Sequence, residues 1–201
     1  MKKLAVLFVA VAYTLHMQAQ QVTIQERQAT FYGLDFSKSK MVGSEGFSNP
    51  TDIVDRFFFE WNNLLLDEKS KYNVKTAFNK DVIDYDFSIV SEKNKTVKPS
   101  ELVTNSSYGI DEKVVEQQVK SYNVKGKGLG IVIIVEKFDK TNDLATVWAT
   151  YFDKSNKKIL LTRKVIGKPS GFGLKSYWAN AIGRIMENCR GYAKSWEAGS
   201  R

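Results

Sequence analysis

Apolar and polar positions along this chain follow distinct periods, and those periods predict its elements. After a polar, glutamine-rich stretch at 20–28, Ala29 to Phe36 (ATFYGLDF) reads as a first strand. Ser37 to Lys40 leads into Met41-Val42, and a glycine loop runs from Gly43 to Phe47. Asn49-Pro50 then offers a capping amide followed by proline at the first helical position. Ile53, Val54, Phe57, Phe58, Trp61, Leu64 and Leu65 recur at helical spacing, with Asp52, Asp55, Glu60, Asn62 and Asn63 on the other side. This predicts an amphipathic helix over 51–67.

Further along, Val74 to Phe78 reads as a short strand. The segment 82–90 (VIDYDFSIV) reads as a longer one, with Ile83, Tyr85, Phe87 and Ile89 on one face. Residues 91–109 are polar, carry Pro99, Asn105 and Gly109, and read as a loop. Asp111 to Tyr122 predicts a shorter helix with Val114, Val115, Val119 and Tyr122 as its stripe. Leu129 to Val135 (LGIVIIV) is β-branched and does not alternate, so it predicts a central strand covered on both faces. Residues 144–152 and 158–166 read as antiparallel strands around a tight turn at 153–156, completing a three-strand meander. Gly167 to Gly173 opens a last helix whose stripe is Tyr177, Trp178, Ala181, Ile182, Ile185, Met186, Cys189, Tyr192, Ala193 and Trp196. The predicted order is β-α-β-α-β-β-β-α. It specifies an α/β (α+β) fold at 29–197: a single two-layer domain, its mixed sheet packed by two long amphipathic helices and one short one.

The amino terminus follows a different logic. Lys2 and Lys3 precede an almost unbroken apolar run from Leu4 to Leu15, which exits through His16, Met17 and Gln18 to the small residue Ala19. A charged start, a short apolar core and a small exit residue predict a cleavable export signal over 1–19. Residues 20–28 then form a flexible segment ahead of the domain. The run is too short to span a bilayer, and no later segment is long and apolar enough to do so. No cysteine lies near the cleavage point, so no lipid anchor is expected. The expected location is periplasmic or extracellular.

Composition narrows the chemistry. The chain is 43% apolar with 12 Phe and 4 Trp, which suits a folded core. Removing Lys2 and Lys3 from 30 basic residues against 22 acidic ones takes the net charge from +8 to +6. That balance favours an acidic partner, an envelope protein or an anionic envelope component. The charges are scattered, so no nucleic-acid patch is read. The single histidine, His16, falls in the export signal, and Cys189 is the single cysteine. These facts argue against Ser-His-Asp and Cys-His nucleophiles, against His- or Cys-ligated zinc and against an intrachain disulfide. No metal and no cofactor is expected. Cys189 lies on the helical stripe and reads as a small buried hydrophobe.

Three constellations remain. Lys40 to Phe47 and Lys164 to Phe172 echo each other: strand end, glycine loop, phenylalanine, then an aromatic-rich helix. Backbone N–H groups of such loops can hold an anion, and Lys168, Ser170, Gly171 and Gly173 are the candidate ligand contacts. Glu45 in the first loop argues against an anion there. Asp84 and Asp86 share one face of the 82–90 strand and are candidates for carboxylate-dependent hydrolysis or a solvated edge.

The strand order, the glycine loop ahead of an aromatic helix, and Tyr177 to Gly183 (YWANAIG) resemble small bacterial envelope α/β domains. The group is that of the TolB amino-terminal domain and the curli-secretion lipoprotein domain. The resemblance covers most of 29–196 and implies a non-enzymatic role in envelope assemblies. The chain departs from the lipoprotein members in lacking the lipobox cysteine, and no family site residue carries over.

Overall fold

The structure, a computed structural model, describes residues 21–199. The predicted export segment, with His16, lies outside the described residues.

The organising element is β5 (Leu129–Asp139), the longest strand. One of its edges pairs in parallel with β1 (Gln28–Asp35) along its first half and with β2 (Lys40–Val42) along its last turn. The other edge pairs antiparallel with β6 (Leu144–Asp153), which pairs in turn with β7 (Ile159–Gly167). Beyond β1 and β2 lie β3 (Val82–Tyr85) and β4 (Val103–Thr104), both parallel. The sheet is therefore mixed, as expected, with the predicted meander forming its antiparallel half.

Helix starts follow their caps. The side chain of Asn49 accepts from the Asp52 N–H at 3.2 Å, and Pro50 opens the helix. That helix runs through α1 (Pro50–Asp52), a π-helical turn (Ile53–Phe57) and α2 (Phe58–Asp67). The longest helix, α7 (Leu174–Gly199), lies on the same sheet face. Between them and the sheet sit Phe31, Ile131, Ile133, Val147, Tyr151, Phe58, Trp61, Trp178, Ile182 and Cys189. Each side chain of this size contributes roughly 1.5–3 kcal/mol when fully buried, so the core alone can hold a chain that has only one cysteine. Burial raises the Cys189 thiol pKa to about 12, as suits a packed sulfur rather than a nucleophile.

The two-layer expectation needs correction. The opposite face is covered by α4 (Ser88–Asn94) and α6 (Glu112–Lys120), whose Ile89, Val90, Val115 and Val119 pack on Tyr32, Val132, Ile134, Trp148 and Phe152. The reason is the unalternated run of β5, which leaves apolar side chains on both faces. Trp148 and Phe152 accordingly lie under α6, not under α7. A buried carboxylate pins this layer: Asp35 accepts from Tyr122 Oη at 2.5 Å, Gln118 Nε2 at 2.7 Å and the Ser37 N–H at 2.8 Å. Burial, and then the Asp35 charge, pushes the Tyr122 phenol pKa well up.

Two predicted strands also give way. Residues 74–77 form the short helix α3 (Val74–Ala77), capped by Asn73, whose side chain accepts from the Thr76 N–H at 3.0 Å. Val74, Ala77 and Phe78 have helical rather than alternating spacing, and all three are buried. The strand expected over 82–90 ends at Tyr85, because the Asp86 carboxylate accepts from both the backbone N–H and the hydroxyl of Ser88 and turns the chain into α4. The expected loop at 91–109 contains the end of α4, the turn α5 (Pro99–Leu102) opened by Pro99, and β4.

Candidate functional site

The two glycine loops that echo each other in sequence meet in space. They follow β2 and β7 at one end of the sheet and close over the last residues of β5. Gly46, Lys140, Gly171, Phe172, Gly173, Leu174, Tyr177 and Trp178 line an open depression of about 290 Å³. A Cβ on Gly46 would come within 2.5 Å of the Lys140 side chain, so the approach is close. Beneath the depression, Trp178 is stacked between Phe47 at 5.5 Å and Phe138 at 4.6 Å. This aromatic column makes the floor rigid.

Lys140 and Tyr177 form its polar rim, tied to Asp143 beside it. Lys140 Nζ donates to Asp143 Oδ1 at 2.7 Å and to Tyr177 Oη at 2.9 Å, and Tyr177 Oη donates to the same Asp143 oxygen at 2.6 Å. The hydrogen bond from Lys140, followed by that from Tyr177, holds the Asp143 carboxyl below its ordinary range. The same bond to Asp143 raises the pKa of Lys140. Lys140 and Asp143 are exposed and Tyr177 is half-buried, so the trio ties the β5–β6 turn to the start of α7.

The outer loop owes its shape to glycine. Gly171 (φ 97°) and Gly173 (φ 72°) adopt left-handed backbone, which costs an ordinary residue about 1–2 kcal/mol. Asn180 Nδ2 holds the loop by donating to the Ser170 carbonyl at 2.8 Å. Between the two glycines stands Phe172, 97% exposed. Gly167 serves packing: a Cβ there would lie 2.3 Å from the Ala181 carbonyl oxygen of α7.

The four predicted contact residues are not brought together. Gly171 and Gly173 line the depression. Ser170 lines a different hollow with Lys71, Asn180, Gly183, Arg184 and Glu187. There Arg184 is paired with Glu187 at 2.7 Å and Lys71 with Glu68 at 3.8 Å, so no unpaired cation awaits an anion. Lys168 is exposed and lines neither. Asp84 and Asp86 are exposed at the β3 edge, the first accepting from Gln28 Nε2 and the second engaged by Ser88. Asp84 lines a shallow hollow with Lys127 and Lys154 that does not include Asp86. Among the described residues no group of three or more His, Cys, Asp or Glu side chains is placed to hold a metal ion, and no helix is long and apolar enough to cross a membrane.

Reasoning on the sequence missed Lys140 and Asp143, which lie in the β5–β6 turn far from either loop. Their only local signal is a Lys and an Asp three apart in a turn. A scan against protein-family models finds no match for the chain, and a search of curated proteins finds none either.

Proposed function

We propose that this protein is an exported, non-enzymatic binding domain of the bacterial cell envelope that docks on an envelope protein through the 167–173 loop. The observation that carries the reading is Phe172. A phenylalanine held almost wholly in water forgoes roughly 1.5–3 kcal/mol of burial, and the left-handed glycines on either side fix where it projects. Aromatic side chains displayed on a rigid base are the usual anchors of protein interfaces. The rigid base here is the Phe47–Trp178–Phe138 stack. Exposed Lys168 precedes the anchor in the loop, and Lys175, paired with Glu60 at 3.2 Å, follows it, so the matching surface is an apolar pocket with an acidic group toward Lys168. Export is supported by the Lys2-Lys3 start, the apolar run and Ala19. The resemblance to TolB-type and curli-secretion-type envelope domains points the same way.

The test is a photoreactive amino acid at position 172, irradiated in the producing cells and read by mass spectrometry. The expected result is one envelope protein in the crosslinked band and loss of its co-purification in Phe172→Asp. Absence of any crosslinked protein would sink the reading.

A further inference from the structure

Away from the glycine loops, the outer edge of the sheet has a gap. β3 pairs with β1 only as far as Phe31 opposite Tyr85, and β4 joins β2 only from Met41 opposite Val103. Between them, the backbone from Leu34 to Phe36, paired with β5 on its inner side, faces no strand on its outer side. Two buried asparagines take the place of one. Asn62 Oδ1 accepts from the Leu34 N–H at 2.7 Å, and its Nδ2 donates to the Leu34 carbonyl at 3.0 Å. Asn94 Oδ1 accepts from the Phe36 N–H at 2.7 Å, and its Nδ2 donates to the same carbonyl at 3.0 Å.

This gap lies where the topology switches. After β1 and β2 the chain crosses one face of the sheet as the helix 50–67; after β3 it crosses the other face as α4. Adjacent parallel strands whose connections leave on opposite faces open a crevice at their carboxyl ends, and open α/β sheets take ligands there. Here the crevice measures about 240 Å³ and is lined by Val54, Asp55, Phe58, Phe59, Asn62, Ser91, Asn94 and Lys95. The π-helical turn supplies Val54 and Asp55 to its wall, and such turns concentrate at functional sites.

The lining selects a class of ligand. Val54, Phe58 and Phe59 form an apolar wall, with Phe59 still 62% exposed. Asp55 comes from the helix 50–67 and Lys95 from the end of α4. Both side chains are exposed, and among the described residues neither makes a hydrogen bond or an ion pair. The Ser91 hydroxyl is also uncommitted, and Asn94 uses one of its two amide hydrogens. We propose that this crevice binds a small zwitterion with an apolar body, of amino-acid size. Asp55 takes the ammonium, Lys95 and Ser91 take the carboxylate, and the body lies on Val54 and Phe59. The space equals that of roughly eight liquid water molecules, enough to seat a body of amino-acid size.

The crevice shares no residue with the Phe172 depression, so it can be tested independently. Isotope-labelled protein is titrated with L-leucine and 6-aminohexanoate, two zwitterions of different charge separation, and with the singly charged 4-methylpentanoate and isoamylamine. Saturable shifts of the Val54, Phe59, Ser91 and Lys95 amides with at least one zwitterion are expected. Binding should weaken about tenfold or more for the singly charged probes and in Asp55→Asn and Lys95→Gln, as loss of a charged hydrogen bond implies. Both positions are exposed, so the variants should fold, and their unperturbed spectra elsewhere check this. No saturable shift with either zwitterion overturns the proposal. So does equal binding of the singly charged probes, or affinity that survives both substitutions.

Discussion

Phe47 and Phe172 occupy the same place in two similar stretches of sequence, each following a glycine loop at the end of a strand. One is 2% exposed and stacked on Trp178; the other is 97% exposed. The inner loop returns through a short 3-10 turn (Ser44–Gly46) that tucks its aromatic under α7. The outer loop uses two left-handed glycines to turn its aromatic away. Equivalent letters thus take opposite places: Phe47 is part of the floor, and Phe172 stands in solvent, where the proposed partner would meet it. The contrast also argues against reading the echo as two copies of one functional loop.

The largest test of this contrast is Phe47→Ala. It removes one member of the aromatic stack and should cost about 3–5 kcal/mol in urea unfolding. A loss under about 1 kcal/mol would mean that Phe47 does not carry the floor. Next is Gly167→Ala, which brings a methyl against the backbone of α7. Overpacking should cost roughly 1–3 kcal/mol, and crosslinking through position 172 should weaken with it, because α7 carries the outer loop. Phe172→Ala should change stability by no more than about 0.5 kcal/mol while removing the envelope partner, a separation that Phe47→Ala cannot produce. The smallest effect concerns the rim. Asp143 is held below the 3.8 of an ordinary aspartate, chiefly by Lys140. A depressed carboxylate stabilises above its unfolded value and loses that contribution as pH falls through the folded one. The melting temperature of the wild type should therefore exceed that of Asp143→Asn by a small margin at pH 6, and the gap should close below pH 3.8. A gap independent of pH would exclude the charged trio as its source.

Much of the fold was legible because its signals are local. Asn49-Pro50 announces a helix start by capping chemistry that involves only four residues. The stripe of α7 and the unbroken β5 run each state a period over many positions. Where the reading failed, a short-range signal was passed over: Asn73 and the spacing of Val74, Ala77 and Phe78 describe a helical turn, and Asp86 followed by Ser88 describes a chain reversal. Less of the site was legible. Gly171 and Gly173 stood out as loop glycines, but nothing near them indicates Lys140, and Lys168 lies apart from the depression its neighbours form.

By itself the sequence determined the α/β class, the antiparallel meander, the long helices and the absence of histidine and of a second cysteine outside the leading segment, because periodicity, capping and composition act through neighbours along the chain. The tertiary structure alone decided which phenylalanine is buried, that α4 and α6 are the elements covering the second face of the sheet, and that Asn62 and Asn94 stand in for a strand at Leu34. Those outcomes depend on contacts between residues 28 to 131 positions apart, and no local pattern encodes which distant side chain will arrive.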